Sequence, residues 1–201
     1  MPRSALRQDQ IEDFRDSLCE VALRQFAEHG YAGVSLRRLA AELGCSPMTP
    51  YRYFRDKDEI LAAVRAAAFC RFADAQERSV EGLVDPRHRL EALGKAYLTF
   101  AQQEPHAYRV MFELHQNPDP GHTAQRRQEE RAWQSLRGEV AAAIGAGVLG
   151  GDPDTVAHLL WAGLHGIVSL ELAGKLRMGR TFDDLRDSMM EMSFRGNARE
   201  S

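Results

Sequence analysis

Residues 35–57, SLRRLAAELGCSPMTPYRYFRDK, decide how the rest of the chain is read. Leu36, Leu39, Ala40 and Leu43 recur at the spacing of one buried helical face, and Ser35 stands where a hydroxyl caps such a helix. Gly44 stops it, because a residue without a Cβ can take the positive φ needed to turn sharply. Ser46 and Pro47 restart the chain as an N-cap followed by a proline at the first helical position. The small Ala40 allows a close helix crossing. The pattern predicts a helix-turn-helix whose second helix, Pro47 to Phe54, carries Thr49, Tyr51, Arg52 and Tyr53 near its start, with Phe54 turned inward. A short helix of this kind fits a major groove, its leading residues at base edges and its hydroxyls and cations on phosphates.

Charge agrees with a local rather than a global attraction to nucleic acid. The 201-residue chain has a formal net charge of −3, so it is no polycation. Between Ser35 and Lys57, however, Arg37, Arg38, Arg52, Arg55 and Lys57 oppose only Glu42 and Asp56, five cations against two anions. Acidic residues elsewhere restrict approach to that one face. Lys57 opens the following helix, where a phosphate can reach both its ammonium and the helix N-terminus.

Outward from this stretch nearly everything reads as helix, and no run of alternating β-branched residues suggests a sheet. A first helix is predicted from Gln8 or Asp9 to His29, with Ile11, Phe14, Leu18, Val21, Ala22 and Phe26 on its core face and Gly30 at its end. A long helix from about Lys57 has no breaker before Gly82; such a rod can carry a rearrangement at its far end back to the groove-reading helix. Helices are then expected over Arg87 to Gln103, from Pro105 to about His115, up to Gly145, from Asp152 to Gly174, and from Phe182 to about Phe194. The fold class is all-α. An N-terminal three-helix helix-turn-helix domain, residues 1–58, precedes a larger helical bundle, residues 59–201.

From Ile11 to Leu61 the sequence resembles the DNA-binding domain of the TetR family of transcriptional regulators, most clearly through FAEHGYAGVSLRRLAAELGCSPMTPYRYFRDKDEIL. The resemblance runs through Phe26, Gly30, Tyr31, Ser35, Leu36, Ala40, Leu43, Gly44, Ser46, Tyr51, Phe54, Lys57 and Leu61. It implies that Pro47, Met48 and Thr49 lie near base edges, Tyr51, Tyr53 and Lys57 near phosphates, and Arg37 or Arg38 at the flank of the groove. Arg52 is added from its place off the buried face; it can read a guanine or clamp a phosphate. Pro50 departs from the family's pattern, which has an aliphatic packing residue there.

Trp161, His165 and Gly166 in LLWAGLHGIVSLEL resemble the WHG type of C-terminal domain in one branch of the same family. That resemblance implies a homodimer formed through the last two helices and a pocket for a small-molecule effector. Small residues Ala162, Gly163, Gly166 and Ser169 permit close helix approach, with Leu160, Leu164, Ile167, Val168 and Leu172 supplying apolar area. Helices framing a pocket offer Tyr97, Phe100, Tyr108, Met111, Phe112, His115, Trp133, Trp161 and His165, an apolar wall with a few polar handles; ordinary core is the competing role of each.

Other chemistries find little support. His158 and His165 stand seven residues apart, about 10.5 Å along a helix, too far to share one metal ion. Cys19, Cys45 and Cys70 form no CxxC pair, which suits a reducing cytoplasm, and no signal peptide or membrane span is read. No nucleophile elbow, zinc motif or phosphate loop is present, so neither an enzyme nor a bound cofactor is expected. The expectation is a cytoplasmic, effector-responsive regulator that binds palindromic double-stranded operator DNA, most simply a repressor. The alternatives are a helical adaptor without DNA binding and, further off, an all-α enzyme.

Overall fold

The computed structural model describes residues 8–114 and 121–196, and those residues are helical with no strand among them. In chain order the helices are α1 (Gln8–His29), α2 (Leu36–Glu42), a 3-10 turn at Pro50–Arg52, α3 (Lys57–Ser79), α4 (Pro86–Gln103), α5 (Pro105–Phe112), α6 (Thr123–Gly145), α7 (Pro153–Leu172) and α8 (Phe182–Gly196). They form two compact units. Among the described residues, one comprises 8–69 with 106–114 and 121–128, the other 70–105 with 129–196.

The first unit is built on the apolar faces anticipated above. Leu18, Ala22 and Phe26 of α1 meet Leu36 and Leu39 of α2, Phe54, and Ile60, Leu61 and Val64 of α3 in one buried cluster that also takes Val110 of α5. Ser35 caps α2 by accepting from Arg38 N at 3.3 Å. The other end closes as a Schellman turn: Cys45 N donates to Ala40 O and Gly44 N to Ala41 O, with Gly44 at φ +66°, the left-handed conformation that a side chain would oppose. Inside the same unit Arg65 is buried, and its guanidinium donates to the carbonyls of Val110, at 2.9 Å, and Leu114. One carbonyl lies in the last turn of α5 and the other just beyond it, so a buried cation is held by backbone dipoles.

In the second unit α7 packs on α4 and α8. Leu90, Val140, Ala143, Leu149, Val156 and Ala157 form its core, flanked by the partly buried Trp133, Leu136 and Leu160. Aspartate-proline pairs start two of its helices: Asp85 accepts from His88 N, and Asp152 from Thr155 N, each at 2.9 Å. Arg89 grips Glu139 through two nitrogens, at 2.6 and 2.5 Å, and also donates to the carbonyls of Val80 and Leu83 just beyond α3.

The structure corrects the expected second helix of the helix-turn-helix. Instead of a continuous helix from Pro47 to Phe54, the chain makes a turn and then the single 3-10 turn Pro50–Arg52. Pro50 is the reason. Having no N–H, it cannot bond the Ser46 carbonyl, which instead accepts from Thr49 N at 2.8 Å, three residues on. Arg52 N bonds Thr49 O and Tyr53 N bonds Pro50 O with the same tight spacing. The ring of Pro50 is buried, so the position keeps an inward packing role.

Candidate nucleic-acid interface

Residues 46–53 form a surface with a fixed floor and free tips. Pro50 and Phe54 point inward. Tyr53 is half-buried, stacked on Phe14 with ring centroids 4.4 Å apart, while the Arg15 guanidinium lies 4.1 Å from the Phe54 ring centroid and donates to the Tyr53 carbonyl. This pins the turn to α1. The outward side chains are Pro47, Met48, Tyr51 and Arg52, all exposed, with Thr49 half-exposed. Met48 at 68% and Tyr51 at 52% exposure carry large apolar surface that nothing in the first unit covers. Ser46 is exposed and its hydroxyl oxygen accepts from Met48 N at 3.4 Å.

Electrostatics keep this face positive. Glu42 is occupied by α1, accepting from Arg24 at 2.7 Å and Gln25 at 2.6 Å. Asp56 accepts from Arg55 at 2.8 Å and caps α3 by accepting from Glu59 N; the Arg55 bond and these backbone donors hold its carboxyl below the usual carboxylate range. Both acids of the segment are thus neutralised locally, and Arg37 and Arg52 are exposed with no ion pair among the described residues. Arg38 is exposed as well, its guanidinium 2.6 Å from His29 Nε2.

Lys57 has a second occupation that the sequence did not reveal. Its ammonium donates to Tyr31 O at 2.9 Å and Val34 O at 3.0 Å and lies 3.9 Å from the Tyr31 ring centroid. Tyr31 in turn donates to Asp58 at 2.6 Å, and desolvation with that bond pushes its hydroxyl up to about 12. Lys57 therefore ties the loop after α1 to the start of α3, and two of its three protons serve the fold.

The residues expected around an effector fall into two groups. Tyr108, Met111 and Phe112 belong to the first unit, where Phe112 packs on Tyr108 and on Phe69. Tyr97, Phe100, Trp133, Trp161 and His165 belong to the second. There Phe72 packs on both Tyr97 and Phe100, and Tyr97 Oη lies 3.2 Å from His165 Nδ1, with Ser169 Oγ 3.3 Å from His165 Nε2. Trp133 and Trp161 form an aromatic run with His158 and His165. His115 lies outside the described residues. Sequence reasoning missed Gln76, one turn after Phe72 on α3: it is only 4% exposed, and its carboxamide oxygen has no hydrogen-bond partner among the described residues. Its polar character on an apolar helical face was the available signal.

Two local environments matter for chemistry elsewhere. Burial raises the Cys19 thiol to about 11, which leaves it a neutral, inert hydrophobe at physiological pH. Among the described residues no three of His, Cys, Asp and Glu gather as a metal-binding group.

A capped helix, a glycine turn and a protruding basic, aromatic 3-10 turn held on a three-helix core define a helix-turn-helix DNA-binding protein with an appended helical unit. Residues 18–64 match the family model described as bacterial regulatory proteins, tetR family, and residues 90–193 match that of the tetracyclin repressor-like C-terminal domain. The chain belongs to the TetR family of transcriptional regulators, which are DNA-binding regulators rather than enzymes. It is 28% identical to the HTH-type transcriptional regulator Rv1816 of Mycobacterium tuberculosis, the alignment covering 86% of each chain. A protein of unknown function from Rhodococcus sp. RHA1 superposes with a TM-score of 0.80 at 28% identity, covering 98% of this chain and all of that one. The regulator FadR from Bacillus subtilis, solved in complex with stearoyl-CoA, has the same fold, with a TM-score of 0.77 at 17% identity over 90% of this chain and 98% of its own.

Proposed function

We propose that the protein is a homodimeric repressor, acting in the cytoplasm, that leaves a palindromic operator when a small apolar or amphipathic effector binds its C-terminal half. Residues 1–58 serve DNA and residues 59–201 serve the effector and the partner copy. Thr49 and Arg52, with Pro47 and Met48, read base edges. Tyr51, Tyr53, the remaining proton of Lys57 and one of Arg37 or Arg38 hold phosphates. The observation that carries DNA reading is the exposed 46–53 surface on a rigid floor, with Arg37 and Arg52 exposed and the two acids of residues 35–57, Glu42 and Asp56, already paired.

Dimerisation is supported by α7. This helix is apolar enough over its 20 residues to pass by composition for a membrane span, yet only 28% of its most apolar 18-residue window is buried in the protomer. Leu164, Ile167 and Val168, read from sequence as interface area, are buried in the protomer's own core. The uncovered apolar residues are Leu159, Ala162 and Leu170, with the half-exposed Gly166 between them, spaced at i, i+3, i+11 and i+7. A soluble regulator hides such a stripe against a second copy, which also supplies the second reading head for a two-fold operator.

Effector binding is supported by Gln76, since a buried acceptor without a donor is unfavourable until a ligand or a water supplies one. It stands one turn from Phe72 and its partners Tyr97 and Phe100, so an amphipathic molecule with a donor group suits the region. The stearoyl-CoA complex of FadR is a precedent for an amphipathic ligand in this fold. The test is retardation of a DNA fragment taken from upstream of the protein's own gene. Specific retardation is expected, and failure to retard any fragment of the surrounding region refutes the reading.

A further inference from the structure

The corner between α7 and α8 holds a feature that neither DNA reading nor the aromatic interior uses. A cleft of about 750 Å³ lies there, within the size range of small-molecule sites. Leu170, Leu176, Met178 and Leu185 give it an apolar lining. Lys175, Arg177 and Arg180 line the same cleft, and no acidic side chain does. None of the three cations makes an ion pair among the described residues. Arg180 feels the charge of Asp184, and that carboxylate is already bonded to the Thr181 amide at 2.8 Å and hydroxyl at 2.9 Å.

Both ends of the connecting loop are fastened. α7 closes as a Schellman turn, with Gly174 N on Glu171 O and Lys175 N on Leu170 O, each at 2.8 Å, and Gly174 at φ +63°. α8 opens with a reciprocal capping pair, because Asp184 N also donates to the Thr181 hydroxyl at 3.3 Å. The three cations are therefore carried on a short segment of defined path beside an apolar floor. Like charges gathered without counter-ions repel one another, and an anion relieves that repulsion.

We propose that this cleft binds a soluble single-chain amphiphile with an anionic head, the aliphatic chain lying on Leu176 and Leu185 and the carboxylate held by Lys175, Arg177 and Arg180. The site is separate from the residues around Gln76 and does not depend on them. A finite concave cleft suits one free molecule, whereas a bilayer surface asks for a broad convex basic face.

The experiment titrates full-length protein calorimetrically with dodecanoate below its micellar concentration, with dodecan-1-ol, and with phosphatidylglycerol vesicles. Dodecanoate is expected to bind at least tenfold more tightly than dodecan-1-ol, to weaken as salt is raised, and to lose at least tenfold in the Lys175→Gln, Arg177→Gln, Arg180→Gln triple variant while dodecan-1-ol is unaffected. Should the triple variant not fold, Arg177→Gln alone with the salt series decides; a flat salt dependence overturns the proposal. So do equal affinities for acid and alcohol, vesicle binding without dodecanoate binding, and a charge-variant effect confined to dimerisation. DNA retardation by the same samples reports on the regulator separately, since it persists if only the cleft assignment fails.

Discussion

Gly166 and Gly163 differ in a way that separates the protomer's packing from its association. A Cβ built on Gly163 falls 1.9 Å from the terminal methyl of Met189 on α8, whereas one on Gly166 meets no atom within 4 Å. The added methyl of Gly166→Ala thus has room in an isolated protomer and none if a second α7 lies against it. Leu159 and Leu170 are 57% and 43% exposed on the same face. Full burial of a leucine side chain is favourable by about 1.5–3 kcal/mol, so covering the exposed half of Leu159 contributes about 1–1.5 kcal/mol per copy and, by two-fold symmetry, about 2–3 kcal/mol per dimer. Leu159→Ser is therefore expected to raise the dimer dissociation constant roughly thirty- to hundredfold, since about 1.4 kcal/mol is a factor of ten. Gly166→Ala should raise it as well, while the melting of the monomeric form does not fall, because glycine is the poorer helix former. Sedimentation equilibrium over a concentration series measures both, and operator retardation should fall in parallel because one head cannot hold two half-sites. Dimer constants within twofold of the parent for both variants would refute the assignment of this face.

Four further outcomes are expected. Thr49→Ala and Arg52→Ala should change which operator base is preferred, while Tyr51→Phe should weaken all sequences alike; competitive retardation against a set of single-base operator variants distinguishes them. Pro50→Ala restores an N–H and frees the unfolded chain, so urea unfolding should show a loss of about 0.5–1 kcal/mol and amide exchange a new protected proton at residue 50. Cys19, its thiol raised to about 11, should resist iodoacetamide at pH 7.5 in the folded protein and react on unfolding, as mass spectrometry of the alkylated peptide will read. Tyr31 has a hydroxyl pKa raised to about 12 in the folded state against about 10 when unfolded, so its contribution is complete below pH 10 and is lost as pH rises toward 12. Tyr31→Phe should remove that alkaline slope in urea midpoints measured from pH 8 to 11.5.

The helix-turn-helix was legible because its signals are local. Ser35, Gly44 and the apolar spacing of Leu36, Leu39 and Ala40 act within one or two turns of backbone, and each performs the role its chemistry suggests. Pro50 was legible as a departure from the family's pattern, but its effect on the backbone was not. The Ser46 carbonyl takes an i+3 partner and the tight spacing continues to Tyr53, after which Phe54 N bonds Pro50 O four residues back. Lys57 illustrates the opposite limit, for its carbonyl partners Tyr31 and Val34 lie 26 and 23 residues away and no spacing rule connects them.

Periodicity and capping, which depend on neighbours a few residues apart, determined that this chain is helical, where most of its helices lie, and that a basic, aromatic segment follows a capped helix near the N-terminus. Only tertiary structure decided which apolar residues of α7 are spent inside the protomer and which remain on its surface, and why Arg65 is buried against α5. Those outcomes rest on contacts between segments distant in sequence, and an apolar or charged residue carries no mark of which distant partner it will meet.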